Sequence, residues 1–299
     1  MKHMTRQLVT ALLPHSCAVR LLSKRQYRKY EKAYPTGRAR PHALPSDLIV
    51  SLTSYPPRYP TLHLTLQSLL RQNTAPDRIV LYIASADAKS IPFAVRVLLE
   101  KGVDLCIVDD VRSYKKLVFT VEEYPGAYIA TADDDVFYRP DWLSELVAGQ
   151  GEGSHVITCH RAHRLQLNSQ GNLADYHLWT WDVDDDNARQ ASVDIMPTGI
   201  GGILYPPGTL HPDVSRRELY QRYAPTADDL WFFWCARRVG ATYRKVGPRF
   251  EQLGWWSAQE SRLFDENAAA NDEQIALLER KFGNPLRMPV FDPFATAAQ

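Results

Sequence analysis

Apolar residues in this chain recur with two alternating periods. Leu48–Thr53, Arg78–Ala84, Val103–Val108, Ala127–Ala130 and His155–Thr158 are short apolar runs of strand length. Between them lie segments with a helical stripe. Thr61–Gln72 places Leu62, Leu66, Leu69 and Leu70 on one face. Pro92 suits the first position of a helix reaching about Glu100, Lys115–Glu123 predicts a short helix, and Pro140 opens another. Strands alternating with helices predict a doubly wound, mainly parallel α/β sheet. Beyond residue 160 the alternation loosens. The run from Thr198 to Pro207 mixes strand formers with glycines, which mark close approach of a ligand or another backbone. A helix over Ala227–Val239, a strand over Thr242–Val246 and a helix over Asp272–Phe282 complete the pattern, read as an extension of the same domain.

Charge divides the chain differently. Residues 1–45 hold ten Lys/Arg against Glu31 alone, a charge of +9; the remaining residues hold 25 Lys/Arg and 33 Asp/Glu, −8. Residues 1–46 are therefore read as a basic, partly helical arm and linker, and 47–299 as the folded domain. Leu8, Leu12, Leu13, Val19, Leu21 and Leu22 form short apolar clusters beside Tyr27, Tyr30 and Tyr34. Such an arm fits peripheral contact with an anionic membrane surface or packing on the body, and the pattern leaves both readings open. The clusters are too short to span a bilayer, and no cleavable leader is evident. The body shows no basic face for nucleic acid. Cys17, Cys106, Cys159 and Cys235 lack metal-ligand spacing, and a reduced, cytoplasmic setting is expected, peripheral on the inner face of the membrane if the arm binds there.

The sharpest chemical signal is Asp133-Asp134-Asp135, directly after an apolar strand. In an open α/β sheet ligands bind outside the carboxyl ends of the strands. Three carboxylates there suit Mg²⁺ or Mn²⁺, which in turn binds phosphate oxygens; Asp runs also make turns and caps. Phosphate-binding glycine motifs and a nucleophile elbow are absent from the sequence. A second acidic pair, Asp228-Asp229, opens a predicted helix, where Thr226-x-x-Asp229 has the form of a capping box.

These motifs together resemble nucleotide-sugar-dependent glycosyltransferases of the GT-A fold, close to family 2 and its bacterial polysaccharide relatives. The resemblance covers about residues 47–247. It rests on Ile49–Tyr55 followed by the Leu-rich helix, on the triplet as a D-x-D motif with Pro140-Asp141-Trp142-Leu143 after it, on the glycines of 199–205, and on Asp228-Asp229 with Arg237, Arg238 and Gly240. It implies a donor loop with Ser51, Thr53, Tyr55 and Arg58, and diphosphate or ribose contacts from Lys115, Lys116, Asp133 and Asp134. It implies a metal held by Asp133 and Asp135, a catalytic base in Asp229 with Asp228 beside it, and an acceptor site at Gly201, Gly202, Trp179 and Trp181. Trp255 and Trp256 are further candidates for stacking on sugars, with core packing as the alternative for every Trp named. For Lys115 and Lys116 the alternative is an ordinary solvated helix start.

The implied reaction moves a sugar from a nucleoside diphosphate, UDP by preference, to a glycan or lipid-linked acceptor with inversion, in bacterial surface polysaccharide synthesis. Two departures stand out: the acidic pair is Asp-Asp where the family has Glu-Asp, and no His follows His211 to serve as a late metal ligand. A sugar nucleotidyltransferase is the competing enzyme reading, although Ser54-Tyr55-Pro56-Pro57-Arg58 lacks the glycines such a loop wants. A non-catalytic, membrane-associated scaffold is the third reading, and intact acids at both positions count against it.

Overall fold

A computed structural model describes Arg28, Lys32, Tyr34, residues 39–151 and 155–250, Trp255 and residues 267–292. The apolar clusters of the basic arm, and Trp256, lie outside the described residues.

The elements run β1 (Arg40–Pro41), β2 (Leu48–Thr53), α1 (Tyr59–Leu69), β3 (Thr74–Ala75), β4 (Arg78–Ala84), α2 (Phe93–Leu99), β5 (Asp104–Val108), α3 (Lys115–Glu123), β6 (Tyr128–Ala132), α4 (Trp142–Ala148) and β7 (Val156–Cys159). They continue with β8 (Ala162–Arg164), β9 (Ile195–Pro197), β10 (Ile203–Tyr205), α5 (Arg217–Tyr223), α6 (Asp228–Arg237), β11 (Thr242–Lys245) and α7 (Asn267–Phe282). Seven strands form one sheet in the order β11-β7-β10-β6-β2-β4-β5. All neighbours in it are parallel except β10, which runs against both β6 and β7. This is the expected mainly parallel α/β sheet.

Strand alternation explains the layers. On β2, Leu48, Val50 and Leu52 pack with Leu62, Leu66 and Leu69 of α1, Val95 and Leu98 of α2, and Trp142, Leu143 and Leu146 of α4. Ile49 packs on the opposite face with Val80, Tyr82 and Ala127. Ser51 shares that face, 0% exposed, and donates to the Lys116 carbonyl at 2.6 Å. This bond ties the first turn of α3 to the central strand. Helix α6 is buried at every position from Leu230 to Arg237, so it has no amphipathic stripe and belongs to the core.

Two sequence expectations change. The arm and linker expected over residues 1–46 contribute β1, which pairs in parallel with β3. Just before it, Tyr34 is buried against Phe137 and Trp255 and donates to the Tyr138 carbonyl at 2.6 Å. The glycine-containing run from 198 is a strand only over β10. Residues 199–201 form a single 3-10 turn ahead of it, and Gly202 takes φ +87° with the Trp142 ring packed where a side chain would project.

Candidate active site

Topology places three loops at one sheet edge. β2 and β6 are parallel, with Leu52 beside Ala132, so their carboxyl ends deliver Ser54 and Asp133 to the same side. β10 runs the other way, and Ile203 pairs with Thr131. The turn that precedes β10 therefore arrives at the edge where β6 ends. The first turns of α3 and α6 face it, and the result is a cluster of five acids around two cations.

Lys116 is the centre. It is 6% exposed, and its Nζ lies 2.9 Å from Asp133 Oδ1 and 3.2 Å from Asp228 Oδ2. Burial acts to lower its pKa, but Asp133, Asp228 and Asp229 outweigh burial and hold the ammonium well above its usual range. Gly199 makes the approach possible. A Cβ there would stand 2.8 Å from Lys116 Nζ and 3.0 Å from Asp229 Oδ1. The Gly199 N–H donates to Asp229 Oδ2 at 3.0 Å. Asp229 Oδ1 is buried without a hydrogen-bond donor, and Asp228 Oδ2, also buried, has the Lys116 ammonium at 3.2 Å as its charged partner. Burial, then the neighbouring Asp228, pushes the Asp229 carboxyl up to about 7.

The second cation is Arg58, which pairs with Asp135. Ser54 Oγ donates to Asp134 Oδ2 at 2.5 Å. Burial and the adjacent Asp135 push Asp134 up to about 7, and burial followed by Asp133 also raises Asp135. The triplet's backbone is fixed from behind. The Asp133 N–H donates to Tyr138 Oη at 2.7 Å, Thr65 Oγ1 donates to the Asp134 carbonyl at 2.9 Å, and the Trp255 N–H donates to the Asp135 carbonyl at 3.1 Å.

The acids suit a hard divalent cation by donor type, since all are carboxylate oxygens and a buried one, Asp229 Oδ1, lacks a donor. Asp133 and Asp135 are each engaged by a cation of the chain itself, so a metal would take over from Lys116 or Arg58. Among the described residues, the three ligand groups that converge within 4.8 Å are Asp175, His177 and Asp272, not the triplet. A Mg²⁺ bound through phosphates needs only one or two protein carboxylates.

Of the predicted residues, Arg58, Lys116, Asp133, Asp134, Asp135, Asp228 and Asp229 meet at this edge. Several others do not. Ser51 lies beneath α3. Thr53 Oγ1 donates to the Tyr82 carbonyl at 2.8 Å. Tyr55 stands at the rim, 37% exposed. Lys115 turns the other way, with Nζ 2.5 Å from Asp110 Oδ1, because successive helix positions point about 100° apart. Gly201 and Gly202 pack against α4: Trp142 Nε1 donates to the Gly201 carbonyl at 2.8 Å and its ring fills the space beside Gly202. Trp179 is 3% exposed and donates to the Ala174 carbonyl at 2.9 Å, a core position that offers no face to a sugar. Trp181 stays half-buried against His163 and Tyr176.

The capping box does not form. The N-cap of α6 is Ala227, without a side-chain cap, and Thr226 is bound instead by Gln274 of α7, which accepts from its N–H at 3.1 Å and donates to its Oγ1 at 2.9 Å. Arg237 and Gly240 are structural. Arg237 is 0% exposed and donates to the carbonyls of Pro285, Met288 and Ala241. Gly240, at φ +80°, lets the backbone of Phe291 pass where a Cβ would be. Sequence reasoning missed Ser54, Tyr138 and Gly199. The signal for Gly199 was its place in a Gly-x-Gly-Gly run, whose members only the fold could tell apart.

No family model matches this chain, and no curated protein matches it. Solved structures similar to it include a mannosyltransferase from Pyrobaculum calidifontis in complex with GDP-Man and Mn²⁺, at 16% identity and a TM-score of 0.45 over 81% of this chain; the chain spans 66% of that protein's length. A 4-diphosphocytidyl-2C-methyl-D-erythritol synthase from Anaerococcus prevotii has 13% identity and a TM-score of 0.46 over 79% of this chain and 97% of its own. An inositol-1-phosphate CTP transferase from T. maritima has 11% identity and a TM-score of 0.38 over 81% of this chain and 97% of its own. At these values the likenesses carry no functional argument.

Proposed function

We propose that this protein is a glycosyltransferase that moves a sugar from a nucleoside diphosphate donor to a glycan or lipid-linked acceptor. The observation that supports this reading is the sharing of Lys116 between Asp133 at the end of β6 and Asp228 at the start of α6, with Asp229 held by the Gly199 N–H. One set of acids then serves the donor phosphates and the other the acceptor hydroxyl, side by side.

In this reading Asp229 accepts the proton of the acceptor hydroxyl. Its Oδ1 has no donor competing for the lone pair, and a carboxyl pushed up to about 7 is matched to proton transfer near neutral pH. The acceptor oxygen forms a bond to the anomeric carbon as the bond from that carbon to the diphosphate oxygen breaks. The nucleoside diphosphate leaves with the electron pair, and the single displacement inverts the anomeric centre. Lys116 and Arg58 bring fixed positive charge to the edge where the diphosphate would lie. A divalent cation held by Asp133 and Asp135 would offset further charge on the leaving group. Surface polysaccharide synthesis on the inner face of a bacterial membrane is the setting that the basic arm favours.

The test is calorimetry with UDP, GDP and CDP in Mn²⁺, Mg²⁺ or chelator, followed by product analysis with the matching nucleotide sugars. Metal-dependent binding that Asp135→Asn abolishes, with nucleoside diphosphate as product, is expected. Binding undiminished in chelator sinks the metal assignment. Pyrophosphate as product, formed from a nucleoside triphosphate and a sugar phosphate, replaces glycosyl transfer with nucleotidyl transfer.

A further inference from the structure

The acids that start α6 are not held by α6 itself. Its N-cap, Ala227, offers no side-chain cap, and the Ala227 N–H reaches the Ala224 carbonyl only at 3.4 Å. The first N–H groups of a helix have no intrahelical acceptor, so an uncapped start frays. Here that start also carries two adjacent carboxylates. Asp228 and Asp229 repel each other, and after burial Asp228 is the largest influence raising the Asp229 carboxyl. A base in a fixed place therefore needs restraint from another element.

Two side chains supply it. Tyr114, at the start of α3, donates to the Ala224 carbonyl. Gln274 of α7 binds Thr226 twice: its Oε1 accepts from the Thr226 N–H at 3.1 Å, and its Nε2 donates to Thr226 Oγ1 at 2.9 Å. The same Nε2 donates to the Ala270 carbonyl at 2.8 Å, one turn back in its own helix. The Thr226 N–H can only donate and the Ala270 carbonyl can only accept, so the amide has one orientation. Gln274 is 4% exposed. Burying an amide costs more than burying an apolar side chain of its size, and packing alone does not call for one. α7 is itself anchored, with Ile275 and Leu278 in the same core as Trp231 and Trp234. Two residues before Gln274, Asp272 accepts from the Tyr176 N–H at 2.6 Å, and Tyr176 lies in the field of Asp229. α7 thus holds two segments that border Asp229.

We propose that Gln274 is a positioning residue for the reaction: through Thr226 it fixes the segment that carries Asp228 and Asp229. Being buried, it acts through Asp229 and not on a substrate. The inference rests on the transferase reading for what Asp229 does, whereas the restraint stands on the hydrogen bonds. The donor side is held separately, by Thr65, Tyr138 and Trp255 behind Asp133–Asp135. Loss of the Gln274 amide should therefore impair the acceptor half of the reaction and leave the donor half alone.

The experiment compares the full chain with Gln274→Met, which keeps the side-chain volume and loses both bonds to Thr226. With saturating nucleotide sugar, the one whose diphosphate binds tightest, turnover should fall about tenfold or more, as a small misplacement of the base requires. Nucleoside diphosphate affinity in Mn²⁺ should stay unchanged. Gln274→Glu, which still accepts from the Thr226 N–H but cannot donate, should fall between the two. Amide hydrogen exchange should quicken at residues 226–229 of Gln274→Met and stay as in wild type at Asp133–Asp135. Unchanged turnover, a loss matched by weaker nucleoside diphosphate binding, or unaltered exchange at 226–229 overturns the proposal. Thr226→Val, which cuts the Oγ1 bond alone, decides the matter where Gln274→Met does not fold: turnover should drop in the same sense, and unchanged turnover overturns the proposal. A wild-type chain that transfers no sugar overturns the transferase reading instead, and the exchange comparison still decides whether Gln274 holds the acidic pair.

Discussion

Replacing Asp229 with Asn separates a reaction role from a structural one, because the two move stability in opposite directions. The Asp229 carboxyl rises from 3.8 to about 7 in the fold, first through burial and then through Asp228. The folded state therefore holds a proton that the unfolded state has released, and stability falls as pH rises through the window from about 4 to about 7. A shift of about 3 units is worth at most about 4 kcal/mol above that window. That shift already contains the opposing pull of Lys116 and the Gly199 N–H; asparagine forfeits their attraction to a charge, so a net gain of about 1–3 kcal/mol is expected for Asp229→Asn at pH 8. At pH 4.5 the wild-type carboxyl is protonated, and the gain should vanish. Denaturant melts of both proteins at the two pH values read this directly. Turnover should meanwhile fall by about 10²–10⁴-fold, the usual cost of a lost general base. A variant that is less stable than wild type at both pH values returns Asp229 to a helix-start role and refutes the argument.

Three further outcomes follow from the same geometry. Gly199→Ala should leave the fold nearly intact, because the displaced atoms are the ends of flexible side chains, yet reduce turnover by about 100-fold by moving Lys116 and Asp229; unchanged turnover would show that their spacing is unimportant. Gly202→Ala should destabilise the protein by more than about 2 kcal/mol, since φ is +87° and the Trp142 ring lies 2.5 Å from the added carbon, while the folded fraction still binds nucleotide; a normal melt would remove the packing role. The chain should co-sediment with anionic vesicles at low salt and release at high salt through residues 1–45, and indifference to vesicles at low salt would leave the arm to another partner.

Much of this protein was legible in order along the chain. The apolar runs predicted the strands of the central sheet up to β7, and the Leu stripe predicted α1, because burial on a parallel sheet imposes those periods whatever the neighbours are. The acids at the end of β6 and the start of α6 could be named for the same reason, since like charges set against apolar segments stand out locally. What the sequence could not supply is everything that depends on which neighbour arrives. β10 enters antiparallel, and only that reversal brings Gly199 to Asp229 and Lys116. Lys115 and Lys116 are indistinguishable as letters, and the helix phase gives one to Asp110 and the other to three aspartates. Gly201 and Gly202 gave no sign in the sequence of their packing partner, Trp142, about sixty positions earlier. Thr226 had the spacing of a cap, but Gln274 from α7 reaches it first. Local composition fixes which segments must be buried and which charges are unusual. Long-range contact alone decides which of those charges meet, and therefore which of them can do chemistry.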